Sequence, residues 1–184
     1  MKIKKLIMPI LVICIVLIFA VFLVGCDYDE EIVLNDYTVK YNGQSHVVVA
    51  TNDINGDFTY RYVSNELGYD SEQAPIEVGK YTVTVSKEGY KTATCNLEIS
   101  TDFLFDEDGN VIGVDNSSDD ILYIPSKVNG KEVNEIKSLE IGKTVKEIHL
   151  PRTIEKITAL AVENETVVYL ASTPEISKGL DLTT

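Results

Sequence analysis

The side chains from which nucleophilic, metal or acid–base chemistry would have to be built are few in kind. Among 184 residues there are three cysteines, two histidines and 29 Asp and Glu. Cys14 lies inside an uninterrupted apolar run, residues 6–24, and Cys26 comes directly after it. Only Cys95 remains downstream, so no intramolecular disulfide can form in that body. In Thr92-Ala93-Thr94-Cys95-Asn96-Leu97 the alternation puts Cys95 on one face with Ala93 and Leu97, which suits a small core residue rather than a reactive thiol. His46 opens a β-like run; a lone histidine makes no metal site, and a structural contact with a turn backbone is expected. Asp53, Asn55 and Asp57, and the run Asp106-Glu107-Asp108-Gly109-Asn110, are rich in oxygen donors. Gly56 stands out of place for a calcium loop, which needs Gly at its sixth position, and hairpin-turn chemistry accounts for both segments. No G-x-S-x-G, H-E-x-x-H or P-loop occurs, so no catalytic residue, metal or cofactor is assigned and the chain reads as non-enzymatic.

Charge narrows the partners. The chain carries −13 with 16 Lys and Arg. Its first 25 residues hold three Lys and no acid, so the remaining 159 residues carry 13 basic against 29 acidic side chains, or −16. Such a surface repels phosphate backbones, and nucleic acid is not an expected partner.

Lys2-Ile3-Lys4-Lys5 precedes the apolar run, so the chain beyond the run is expected on the extracytoplasmic side. The run ends in Leu23-Val24-Gly25-Cys26. This resembles the lipobox of bacterial lipoproteins, and the resemblance implies a signal peptide over residues 1–25, cleaved before Cys26, whose thiol receives a diacylglycerol. The alternative is an uncleaved membrane-spanning helix, since nineteen apolar residues just reach across a hydrocarbon core of about 30 Å. Both readings leave the protein at the cell membrane, facing outward. Residues 26–31, with four carboxylates, make a short acidic tether.

Residues 32–100 alternate with period two, and turn signals recur every eight to twelve residues. The expected strands are residues 37–41, 46–50, 58–63, 81–85 and 92–99, with Asn55-Gly56 as a hairpin turn. Phe58, Tyr60 and Tyr62 should share a face, and a loop should run through Gly68 and Pro75. Tyr41-Asn42-Gly43-Gln44-Ser45-His46, Gly79-Lys80-Tyr81-Thr82-Val83-Thr84-Val85 and Thr92-Ala93-Thr94-Cys95-Asn96-Leu97-Glu98-Ile99 resemble, in order, the bacterial Ig-like (MBG) repeats of surface proteins. That resemblance implies a β-sandwich with a stalk or adhesive role.

In residues 101–184 a hairpin turning at Asp108-Gly109 precedes a recurring pattern. Leu122-Tyr123-Ile124-Pro125 returns as Ile148-His149-Leu150-Pro151, 26 residues on. Val133-Asn134-Glu135-Ile136 returns as Ile154-Glu155-Lys156-Ile157 after 21, the difference fitting an insertion near Asn129-Gly130-Lys131. Val168-Tyr169-Leu170 comes after a further 20, while Leu139, Ile141, Val145, Leu160 and Val162 fill the interval. The units resemble the BspA-type leucine-rich repeats of bacterial surface proteins, which implies a short β-solenoid. With so few copies its far end needs cover, and the tail from Pro174 onward is expected to fold back over the last strand. Tyr123, His149 and Tyr169 alternate with apolar neighbours, so they should line up on the outer face of adjacent strands as a candidate partner-contact patch.

The expectation is therefore an all-β chain: a signal helix, an Ig-like β-sandwich, then a short leucine-rich-repeat-like solenoid. Its expected role is that of a lipid-anchored surface protein, held to the membrane through Cys26, that binds a protein or glycan. The alternative is a structural spacer without a specific ligand.

Overall fold

The computed structural model describes residues 30–115, 119–162, 166–176 and 180–182. The apolar run, Cys14, Cys26 and most of the acidic tether fall outside the described residues. Within them the fold is all-β, with no helix.

Five strands come first: β1 (Tyr37–Lys40), β2 (Thr59–Ser64), β3 (Tyr69–Ser71), β4 (Gly79–Ser86) and β5 (Ala93–Ser100). They form one sheet in the order β1-β5-β4-β2-β3, antiparallel except that the first and last strands run parallel. Alternation decides the faces. Tyr81, Val83 and Val85 of β4 and Cys95, Leu97 and Ile99 of β5 point into a core closed by Ile32, Val48 and Tyr62. Burial there pushes the Cys95 thiol above its ordinary value, as befits a packing residue.

Three sequence expectations need correction here. Residues 46–50 alternate as expected, His46 and Val48 inward and Val47 and Val49 outward, yet they form no strand. Their backbone bonds go elsewhere: His46 N–H to the Pro75 carbonyl, 3.0 Å, and Thr51 N–H to the Val33 carbonyl, 2.9 Å. An alternating pattern reports which side is wet, not which backbone lies alongside. Asn55-Gly56 consequently closes no hairpin, although Gly56 has φ +104°. Conversely, the expected loop through Gly68 contains β3, paired with β2 through Tyr62↔Ser71.

The remaining strands are short: β6 (Phe103–Phe105), β7 (Val111–Val114), β8 (Ile121–Tyr123), β9 (Lys127–Val128), β10 (Lys131–Glu132), β11 (Glu135–Ile136), β12 (Leu139–Ile141), β13 (Glu147–Leu150), β14 (Lys156–Ile157), β15 (Leu160–Val162), β16 (Val167–Leu170), β17 (Glu175–Ile176) and β18 (Leu180–Leu182). Successive passes of the chain stack side by side in three sheets: β8-β13-β16, β7-β11-β14-β17 with β6 outside, and β12-β15-β18. Apart from the β6–β7 hairpin, all pairs within these sheets are parallel. The registers fall at the sequence offsets: Leu122↔Ile148↔Val168 and Ile136↔Ile157. Every inward position down to β15 is apolar and buried, giving a second core that shares no residue with the first. The insertion in the first pass falls at the β9–β10 hairpin, where Asn129 (φ +50°) and Gly130 (φ +76°) adopt the two left-handed conformations that a tight primed turn requires.

The tail does not fold back over the last strand. Its described residues continue the pattern as β17 beside β14 and β18 beside β15. Adding another rung satisfies one edge of each sheet, whereas crossing the end of the core would leave the backbone of both layers unpaired.

Candidate functional site

The sheet β8-β13-β16 brings Tyr123, His149 and Tyr169 to one level, in the register Tyr123↔His149↔Tyr169. Their rings stack: the centroids are 4.5 Å apart at 16° between Tyr123 and His149, and 4.4 Å at 11° between His149 and Tyr169. Parallel in-register strands space equivalent Cβ atoms by about 4.8 Å, which is why three planar rings at one level settle into contact. The level below reads Ile121↔Glu147↔Val167, and His149 Nε2 lies 3.3 Å from Glu147 Oε2. Because each ring covers its neighbour, the faces of the trio are largely spent on one another. What the patch offers outward is a ridge of ring edges and hydroxyls, with Tyr169 half exposed on the strand that is outermost among the described residues.

The other two sheets present different chemistry at their outer levels. One reads Glu135↔Lys156↔Glu175, in which Lys156 meets Glu135 at 2.8 Å and Thr158 donates to the same carboxylate at 2.6 Å. The third reads Glu140↔Ala161. The three stacked rings therefore share one outer face, while the β6–β7 end of the second sheet exposes Leu104 and Ile112.

The oxygen-rich segments are occupied by their own surroundings. Asp106 accepts the backbone N–H groups of Asn110 (2.8 Å) and Asp108 (3.0 Å) and pairs with Lys137 Nζ at 2.6 Å. The Lys137 bond first, then the Asn110 backbone bond, hold its carboxyl well below the usual carboxylate range. Asp53, Asn55 and Asp57 are exposed. Among the described residues no three His, Cys, Asp or Glu side chains lie close enough to hold a metal ion. A depression of about 490 Å³ at one end of the first sheet is lined by Asp36, Lys80, Asn96 and Glu98 among others. Asp36 there already accepts the Asn96 N–H at 2.8 Å, and that bond lowers its pKa.

A second cluster was not read from the sequence. Where the two parts of the chain meet, Lys40 Nζ lies 2.7 Å from Asp102 and 2.6 Å from Asp119. A separate contact across the same boundary has Glu77 Oε1 accepting from Ser126 Oγ at 3.4 Å, while Oε2 is buried with no hydrogen-bond partner among the described residues. Burial pushes the Glu77 carboxyl up, against the opposing pull of Lys127 and the Ser126 bond. Burial first, then Glu77, raises the Tyr81 phenol to about 12; the same two causes raise Tyr41. His46 is likewise buried, its Nε2 unpartnered and its pKa lowered by that burial. Its backbone N–H, not its imidazole, makes the expected turn contact. No sequence signal marks this cluster, because its members lie on separate elements brought together only by docking.

The cluster has a pH signature. Glu77 holds its proton to higher pH when folded than when unfolded, where it titrates near 4.5. Its favourable contribution is complete below that value and is lost as pH rises through the folded one. Glu77→Gln should raise stability at pH 7, by removing a charge that burial disfavours, and leave it nearly unchanged at pH 4, where the carboxyl holds its proton. Melting temperatures of the two proteins at both pH values check this; an equal gain at pH 4 contradicts it.

No family model matches the chain, and no curated protein or solved structure matches it.

Proposed function

We propose that the protein is a non-catalytic, lipid-anchored component of a bacterial cell surface that contacts a protein or glycan through the outer face of β8-β13-β16. The reading includes an Ig-like module followed by a short leucine-rich-repeat-like solenoid, with anchoring through Cys26. One observation carries it. Of three stacked parallel sheets, one carries three rings in contact, Tyr123, His149 and Tyr169, on its outer face, flanked by Ile121 and Val167. Contact surfaces are enriched in aromatic anchors of this kind. The mutual stacking of the rings favours the spacer reading instead, since cross-strand packing alone stabilises a sheet.

Pull-down from envelope fractions separates them. Replacing Tyr123, His149 and Tyr169 together by Ser should abolish capture of a partner while costing no more than about 1 kcal/mol per pair, because all three lie on the outside. Capture that survives the triple change removes the patch from the reading.

Anchoring has its own measurement. Cys26→Ala should block lipid attachment and processing, so the chain keeps residues 1–25 and gains their mass while losing the lipid. A variant that stays membrane-bound and differs from the wild type in mass by the substituted side chain alone would instead favour an uncleaved membrane-spanning segment.

A further inference from the structure

One side of the first module is apolar and free of charge. Val47 and Val49, the outward residues of the segment that joins no strand, are 51% and 71% exposed. With Tyr37, 44% exposed, they line a groove of about 280 Å³ between that segment and the edge strand β1. Val33, 47% exposed, adjoins the groove, its carbonyl accepting the Thr51 N–H at 2.9 Å. Residues 41–52 contain no Asp, Glu, Lys or Arg in a chain that is 24% charged. Asp36, the one charged residue lining the groove, is spent on the Asn96 N–H at 2.8 Å.

The tether fixes where this side stands. Glu31 forms a parallel backbone bridge with Lys91, and the Glu30 carbonyl accepts the Lys91 N–H at 3.3 Å, so the chain enters the module at the foot of β5. Cys26 is four residues before Glu30, a reach of at most about 14 Å. The eight residues of β5 span about 26 Å. A tether shorter than the module holds its foot within reach of the lipid headgroups, and surface chemistry decides which side turns to them.

We propose that the side bearing Val33, Tyr37, Val47 and Val49 rests on the headgroup layer of the membrane, which makes a lipid surface the partner of the first module. The proposal rests on the anchored reading, and holds whether Cys26 carries a lipid or follows an uncleaved membrane-spanning segment. Beyond residue 25 the chain has 29 acidic against 13 basic side chains, and a phosphate-bearing layer repels that excess. The uncharged side approaches without such repulsion and removes apolar surface from water. Tyr37 suits this depth, where a ring is shielded while its hydroxyl stays wet. Penetration stops there, because residues 46–50 lie outside any ladder and their backbone groups need water, which the hydrocarbon core lacks.

The test uses the full chain, purified with its anchor, in vesicles of phosphatidylcholine and phosphatidylglycerol that include a lipid with a nitroxide on its headgroup. Val49→Cys and Thr94→Cys are each labelled with an environment-sensitive fluorophore, and the wild type serves as the labelling blank. Thr94 is also exposed and lies three residues from Lys91, but on the opposite face of the sheet. The Val49 label should be quenched severalfold more than the Thr94 label. Adding Val47→Glu should remove the difference; Val47 is exposed, and an unchanged circular dichroism spectrum shows that the fold remains. Equal quenching of the two labels in protein that floats with the vesicles overturns the proposal and leaves the anchor standing. Protein that does not float overturns the anchored reading and this contact with it. A Val49 label shielded from water yet untouched by the nitroxide marks a second copy or another protein as the occupant, and overturns the proposal as well.

Discussion

Ile148→Ala should destabilise the second module by about 3–4 kcal/mol, within the span measured for large-to-small core changes. Ile148 is fully buried on the middle strand of β8-β13-β16, between Leu122 and Val168. Neighbours on both sides are held by parallel ladders, so the site cannot collapse onto the missing methyl groups, and the cavity persists. Small domains rarely have more than 5–15 kcal/mol in hand, so the loss is a large fraction of the total. Tyr169→Ser, one position along the ladder but on the outer face, should cost below about 1 kcal/mol. Calorimetric unfolding of the two variants checks the contrast; equal losses would mean that the inner and outer levels are not distinct.

Tyr62→Ala should be as damaging to the first module, at about 3–5 kcal/mol. The ring is 1% exposed, stacks on Tyr60 at 6.2 Å, and its hydroxyl is engaged with the Val48 backbone. That engagement holds residues 46–50 against a sheet they do not join, so the deletion removes packing and an attachment together. Tyr62→Phe keeps the ring and should lose about 1 kcal/mol, the net value of one hydrogen bond. Because the two cores share no residue and meet through Lys40, Tyr41, Glu77 and Ser126, two thermal transitions are expected. Tyr62→Ala should move one of them and Ile148→Ala the other; a single transition moved by both variants would contradict this.

How far the pattern of residues reached differs between the two modules. Alternation located β1, β2, β4 and β5 and named Cys95 and Leu97 as core, since solvent on one face imposes period two regardless of the partner strand. It also assigned a strand to residues 46–50, where the faces are right and the pairing is absent. In the second module the recurring spacing did more. Equal offsets between copies in parallel strands translate directly into register, so Tyr123, His149 and Tyr169 were readable as neighbours before any coordinates. Leu139, Ile141, Leu160 and Val162 read only as filler between copies, but they build a third sheet as β12 and β15. Three-residue runs are too short for periodicity to separate a strand from a turn.

By itself the sequence determined the all-β character, the inward and outward sets, and the alignment of three aromatic residues, because these depend on period and on the offset between copies. Only the tertiary structure decided that the first five strands lie in one sheet, that the tail adds a rung instead of a lid, and that Glu77 is buried beside Ser126. Each of these depends on which backbone or side chain meets which across the fold. That choice is made by packing between segments distant in the chain, and local alternation carries no information about it.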